Sequence, residues 1–152
     1  MPFATQPDDA QTTLNSFLLG ASVCGIRFGA TQLLLQPANL IGECYINLSS
    51  AWHVYESRPD ELPATEAAVP EVSEDQEILS LASLRYESVK SVEIVRPLNH
   101  LALVFSNGAL LYVNGTNEGP EPWAAGFNAL NGEGSVTVLA LSGEEPIVYG
   151  RP

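Results

Sequence analysis

The sequence predicts an α+β domain built mainly from antiparallel β-sheet, with two short helices. Short runs of β-branched, aromatic and leucine residues alternate with turn residues, and two amphipathic segments each precede a group of such runs. The links between runs are too short for the crossovers that parallel strands need. With 152 residues, 45% of them apolar, the chain can bury one substantial core, so we expect a single domain over residues 1–152.

Two segments have the apolar spacing of amphipathic helices. Residues 9–19 follow a capping-box pattern and end at Gly20, a common C-terminal stop. A second pattern of the same kind begins at Ser73, with Gln76 three positions later, and its apolar stripe continues to about Tyr86. We expect each helix to pack one face on the sheet.

The apolar runs are expected to form strands joined by tight turns. Asn107-Gly108 is the strongest hairpin signal in the chain, because both residues suit the backbone of a two-residue turn. Residues 118–132 are predicted to be a loop containing one helical turn, and residues 142–145 a turn. The predicted strands are Val23–Phe28, Thr31–Gln36, Glu43–Tyr55, Val89–Val95, Leu101–Ser106, Ala109–Asn114, Val136–Leu141 and Ile147–Tyr149.

The order helix, three strands and tryptophan occurs twice along the chain. This suggests an internal duplication with half-repeats 9–56 and 75–125, joined by an acidic connector at 57–74. The alternative is that short apolar strands simply resemble one another. The similar segments are Ser22-Val23 and Ser88-Val89, Leu33-Leu34-Leu35 and Leu101-Ala102-Leu103, and Tyr45-Ile46-Asn47 and Tyr112-Val113-Asn114.

The acidic stretch from Glu56 to Glu77 holds eight of the eighteen acidic residues and one base, Arg58. It supplies −7 of the net charge of −12. Such an excess repels nucleic acid and anionic membranes and favours a basic partner, although it also serves solubility alone. The acidic residues are Glu56, Asp60, Glu61, Glu66, Glu71, Glu74, Asp75 and Glu77.

No pattern in the sequence indicates catalysis, a metal or a cofactor. Cys24 and Cys44 are too few for a disulfide scaffold or a cysteine zinc site, and we expect both to be buried free thiols. His53 and His100 lack partners at ligand spacing. The prediction is a non-enzyme with no cofactor. The alternative is an enzyme or small-ligand protein with a pocket near these two histidines.

The start of the chain shows no secretory signal, and no apolar run approaches the length of a membrane helix. We therefore expect a soluble cytoplasmic protein. Its binding partner is predicted to contact the acidic stretch together with an aromatic anchor. Trp123 is the favoured anchor because Glu118 and Glu121 precede it, with the alternative that Trp123 belongs to the core.

The run from Leu101 to Val113, with its Phe105-Ser-Asn-Gly108 turn and a downstream Glu121-Pro-Trp123, resembles a recurrent pattern. Small bacterial immunity proteins of polymorphic-toxin and contact-dependent growth inhibition systems have a similar strand, Phe-x-x-Gly turn, second strand and Glu–Trp pair. The resemblance covers roughly residues 80–125. The chain departs from the pattern in the proline between Glu121 and Trp123, and the acidic connector is not part of it.

The resemblance implies a cytoplasmic antidote that binds the toxin domain of a cognate effector. Many such toxins are basic nucleases, which suits a protein of net charge −12. Inhibition would then be by occlusion, with carboxylates standing where substrate phosphates would lie. A structural or assembly module, such as a phage or secretion adaptor, is the remaining alternative.

Overall fold

The computed structural model describes residues 2–3, 7–116, 121–132, 134–142 and 144–150, and for residues 2–3 and 7–9 it describes the backbone alone. The predicted α+β class with mainly antiparallel strands is confirmed. The elements are β1 (Pro2–Phe3), α1 (Pro7–Leu18), β2 (Ser22–Arg27), β3 (Gln32–Gln36), β4 (Gly42–Leu48), β5 (Trp52–Tyr55), a 3₁₀ turn (Glu66–Ala68), α2 (Glu74–Ala82), β6 (Val89–Val95), β7 (His100–Phe105), β8 (Leu110–Val113), β9 (Trp123–Ala129), β10 (Val136–Leu141) and β11 (Glu144–Gly150).

The strands form two sheets, and every pairing among the described strands is antiparallel. The large sheet has the order β1-β11-β10-β9-β4-β3-β2, and the small sheet has the order β5-β8-β7-β6. One hydrophobic core lies between them and contains residues from both sheets and both helices. The link between the sheets is backbone pairing at Ser22 and Ser88, where β2 of the large sheet meets the start of β6.

Helix α1 packs its predicted apolar face into this core, against β9, β10 and β11 of the large sheet and β6 of the small sheet. Gln11 docks it on the edge of β6. The side-chain amide donates to the Val92 carbonyl at 2.8 Å and accepts from the Ile94 N–H at 2.9 Å. Gln11 thus occupies backbone groups that an edge strand would otherwise leave open. The helix ends at Leu18, and Gly20, two residues later, has a φ of +81° that fits the predicted C-terminal stop.

Helix α2 begins as the sequence predicts. Ser73 accepts from the Gln76 N–H at 3.1 Å while the Gln76 side chain accepts from the Ser73 N–H at 3.3 Å, which completes a capping box. The helix ends at Ala82 rather than near Tyr86 as predicted, because residues 83–86 form turns that lead into the pairing with β2.

After its third strand, each half of the chain crosses into the sheet of the other half. The first half forms the meander β2-β3-β4 in the large sheet and then places β5 beside β8 in the small sheet. The second half forms the meander β6-β7-β8 in the small sheet and then places β9 beside β4 in the large sheet. We call this arrangement the reciprocal strand exchange.

The second and third strands of the two halves pair in the same register. Both first strands carry a bulge one residue after the valine, at Cys24 in β2 and at Lys90 in β6. The exchanged strands differ in register: Trp52 lies opposite Val113, whereas Trp123 lies opposite Leu48, two residues beyond the counterpart of Val113. The two halves therefore share only part of their pairing. The duplication itself remains an interpretation.

Three local predictions differ from the structure. Residues 118–132 were expected to be loop, but Trp123–Ala129 is the strand β9, held between β4 and β10. The predicted single strand Glu43–Tyr55 is two strands in different sheets, and residues 49–51 make the crossing. The predicted turn at 142–145 is shorter, because Glu144 already belongs to β11. A hairpin joins β7 and β8 at Asn107-Gly108 as predicted, but its connection has three residues, because the Phe105 N–H donates to the Ala109 carbonyl at 2.9 Å; Gly108 is at φ +88°.

Candidate partner-binding surface

The acidic connector is a folded part of the protein. It crosses the outer face of the small sheet, where Leu62 and Val69 pack on Leu110 and Tyr112 in a second, smaller apolar cluster. The buried Tyr112 hydroxyl donates to the Pro63 carbonyl at 2.6 Å. Deleting the connector would therefore expose a buried tyrosine and leucine, so its function must be tested by point substitution.

Arg58, the one base of the connector, does not neutralise the negative charge of the connector's carboxylates. Arg58 reaches across to β6 and forms a salt bridge with Glu93, with 3.4 Å between the nitrogen and the oxygen. Both side chains are about half exposed, so the pair adds little stability. It does direct the positive charge of Arg58 towards β6 rather than towards the connector's carboxylates.

Five carboxylates surround the start of helix α2, and we call this surface the acidic face. Glu66, Glu71 and Glu77 line a cleft of about 310 Å³ that also includes Trp52. Glu74 and Asp75 line a neighbouring groove of about 500 Å³ on the other side of the first helical turn. Within the part of the chain that the structure describes, none of these five carboxylates forms a salt bridge.

The other predicted binding carboxylates are not gathered into either cleft. Glu56, Asp60 and Glu61 are exposed in the first part of the acidic stretch, and Glu121 is exposed just before β9. Glu118 lies outside the described residues. The acidic face thus contains Glu66, Glu71, Glu74 and Asp75 of the predicted set, and Glu77 joins them.

Trp123 is not a surface anchor, which corrects the favoured prediction. Its side chain is 0% exposed, and its indole N–H donates to the Asn99 carbonyl at 2.9 Å. It belongs to the core, as the alternative reading proposed. Phe28, 66% exposed, and Leu79, 68% exposed, are large apolar side chains that do lie at the surface beside acids. Sequence reasoning missed both.

A larger apolar cleft of about 690 Å³ lies at the end of α1, near the β3–β4 and β9–β10 turns. Its volume is within the range of small-molecule sites. Neither histidine lines it, and no charged side chain is among its described lining residues. These are Ser16, Phe17, Asn39, Leu40, Ile41, Phe127, Ala129, Leu130, Asn131, Gly134 and Val136.

Both histidines lie on the outer side of the small sheet, beside tyrosines. His53 is half-buried with its ring 4.7 Å from that of Tyr55, and burial lowers its pKa. His100 is buried, with its ring 5.3 Å from that of Tyr112, and its Nδ1 accepts from the Gly115 N–H at 2.8 Å. Neither histidine lines the three clefts described above, so the pocket expected near them is not among these clefts.

Burial of His100 predicts a stability that falls on acidification. Its pKa in the folded protein is lowered by burial below the ordinary value of about 6.5, so below that pH the unfolded chain binds the proton first. The free energy of unfolding, measured by urea titration at several pH values, should therefore decrease as the pH drops below about 6.5 towards the folded pKa. His100→Gln should flatten this dependence. Equal slopes in the variant and the parent would contradict it.

The two cysteines differ in their environments. Cys44 is buried as predicted, and burial raises its pKa to about 12. Cys24 is exposed, which corrects the prediction, because it follows the buried Val23 in β2 and successive side chains of a strand point to opposite faces. Its pKa is raised by partial burial and by Glu43, so the thiol is not activated as a nucleophile.

Among the described residues no group of three histidine, cysteine or acidic side chains is arranged to hold a metal ion. The same residues include no helix with the length and apolarity needed to cross a membrane. No protein-family model, curated protein or solved structure matches the chain.

Proposed function

We propose that the protein is a non-enzymatic inhibitor that binds a basic toxin domain through the acidic face. The observation that carries the proposal is the display of Glu66, Glu71, Glu74, Asp75 and Glu77 around one helix start, without a described salt bridge. A solvated linker would hold its charges in no fixed arrangement. Here the connector is packed on the sheet, so the carboxylates are presented in one geometry.

Fixed carboxylates favour a basic partner in two ways. Their field speeds the encounter with a positively charged surface, and close pairing with lysine or arginine selects that surface over others. If the partner is a nuclease, its basic residues bind substrate phosphates, and the carboxylates would occupy the same residues. Inhibition then follows from occlusion and requires no chemistry by the inhibitor.

The resemblance to immunity proteins supports the same proposal. The segment that carries it, Leu101 to Val113, is the β7–β8 hairpin with its Asn-Gly turn. The Glu–Trp pair of that pattern does not form the binding surface, because Trp123 is a core residue and only Glu121 is exposed. The binding surface is therefore assigned to the acidic face, and a cytoplasmic location follows from the proposed role.

The test first asks whether the intact protein recovers the product of the neighbouring gene in a pull-down, and then measures their binding by titration calorimetry at low and high salt. The double charge reversal Glu71→Lys/Glu74→Lys should weaken binding by about 100-fold or more at low salt, because it places cations against a basic surface. Glu43→Lys/Glu121→Lys is the matched control, since it changes the net charge equally at exposed positions outside the acidic face. We expect the control to lose less than about tenfold.

Equal losses in the two variants would mean that net charge alone matters, and would remove the acidic face from the proposal. Binding that responds to neither variant nor to salt would remove the electrostatic mechanism altogether.

A further inference from the structure

We propose that the groove formed by Phe28 and Leu79 receives a large apolar side chain from a basic polypeptide segment of the partner. The inference rests on the proposed function and names the partner's chemistry at one position of the acidic face. The groove has a volume of about 500 Å³ and is lined by Phe28, Glu74, Asp75, Ile78 and Leu79.

The two apolar walls come from different elements and are not required by the fold. Phe28 lies at the turn between β2 and β3. The residue that adopts the left-handed backbone of this turn is Gly29, at φ +89°, and not Phe28. Leu79 lies in the middle of α2, whose buried residue is Leu81. Phe28 and Leu79 are each about two-thirds exposed, so both leave apolar surface in water that a partner would cover.

The rim of the groove sets the charge of its occupant. Glu74 and Asp75 belong to the first turn of α2, and neither forms a salt bridge with any described residue. Covering the groove with a neutral or acidic partner would remove water from these carboxylates without replacing its hydrogen bonds, which is costly. A lysine or arginine beside the inserted side chain would pair with them. The occupant is therefore a basic segment with an apolar anchor.

This combination gives the acidic face a source of affinity that charge alone lacks. Exposed ion pairs contribute little each, whereas an apolar side chain enclosed at the centre of an interface is a typical hot spot. Trp123 and Trp52, the tryptophans of the two halves, are buried and cannot supply this contact. Phe28 and Leu79 occupy the place next to the carboxylates that an anchor site requires.

The experiment uses the intact protein and three synthetic peptides labelled with fluorescein, with binding followed by fluorescence anisotropy. The first peptide is rich in lysine and carries one central tryptophan. The second has serine in place of the tryptophan, and the third has glutamate in place of the lysines. We expect the first to bind at least about tenfold more tightly than the second, and the third not to bind.

Two variants test whether Phe28 and Leu79 form the site that receives the tryptophan. Leu79→Ser and Phe28→Ser should each weaken the tryptophan peptide by about tenfold and leave the serine peptide unchanged. Because both side chains are exposed, neither substitution should disturb the folded state. Leu130→Ser is the matched control, since Leu130 is 82% exposed and does not line this groove, and it should bind like the parent.

The groove inference is overturned if the tryptophan and serine peptides bind equally, or if Leu79→Ser and Phe28→Ser bind like the parent. Either result leaves the proposed function standing provided that Glu71→Lys/Glu74→Lys still weakens toxin binding by about 100-fold or more. Insensitivity of toxin binding to that charge pair is the separate result by which the proposed function fails.

Discussion

Replacing Trp123 with alanine should lower the free energy of unfolding by about 3–5 kcal/mol, the range for removing a buried tryptophan. The side chain is completely buried in the central core, and its indole N–H bonds the Asn99 carbonyl. Alanine leaves a cavity between the sheets and an unpaired buried carbonyl, and each of these raises the cost. Urea unfolding monitored by circular dichroism measures the change.

Leu130→Ala is the control for this substitution. Leu130 directly follows β9, the strand that begins at Trp123, but it is 82% exposed. Its truncation should therefore change the free energy of unfolding by less than about 0.5 kcal/mol. A small effect at Trp123 would show that the residue is a surface group after all, and would restore it as a partner anchor. Because Trp123→Ala is expected to act on stability, any loss of partner binding must be corrected for the unfolded fraction.

Gly115→Ala is expected to destabilise the fold by about 1–3 kcal/mol or more through overpacking. A Cβ atom at Gly115 would overlap the Leu98 carbonyl oxygen and would lie 2.5 Å from Asn99 backbone atoms. Backbone atoms cannot move aside as a flexible side chain can. The Gly115 N–H also donates to His100 Nδ1, so displacement of the loop would leave a buried imidazole without that bond.

Gly25→Ala provides the comparison, because a Cβ atom there meets only the Leu34 side chain, at 3.5 Å. We expect a change of less than about 1 kcal/mol for Gly25→Ala, measured by the same urea titration. If Gly115→Ala were as stable as Gly25→Ala, the close packing of residues 98–99 on this loop would be wrong.

Local chemistry in the sequence was enough to predict the elements whose determinants are close along the chain. The Ser73 capping box and the Asn107-Gly108 hairpin are examples, because each depends on hydrogen bonds or backbone angles within a few residues. The apolar face of α1 was also predicted correctly from its spacing. Helix and strand propensities agree with the fold at all these places.

The remaining parts depend on contacts between distant residues. β9 contains alanine and glycine, which have weak strand propensity, and it is a strand because β4 and β10 pair on both sides of it. Gly126 in this strand leaves room for the ring of Tyr45 directly opposite. The crossing at 49–51 contains two serines but no glycine or proline, the stronger turn signals, so one strand was predicted where two exist.

The sequence predicted the charge of the candidate site but not its apolar residues, Phe28 and Leu79. Composition alone identified the acidic stretch, because charge needs no folding to be counted. Trp123 was favoured as the anchor because acidic residues precede it. An aromatic residue in that setting can belong to a core or to a surface, and sequence cannot distinguish the two. Leu79 carried a signal that was overlooked, because it falls outside the stripe formed by Ile78, Leu81 and Ala82.

The reciprocal strand exchange has a consequence for synthesis of the protein. β4 acquires its second neighbour only when Trp123 and the rest of β9 have left the ribosome, so the first half waits with an open strand edge while the second is translated. The nascent first half is therefore the species most exposed to aggregation. Once both halves are made, each has a strand paired in the sheet of the other. A chain cut within the connector should therefore remain associated as two fragments.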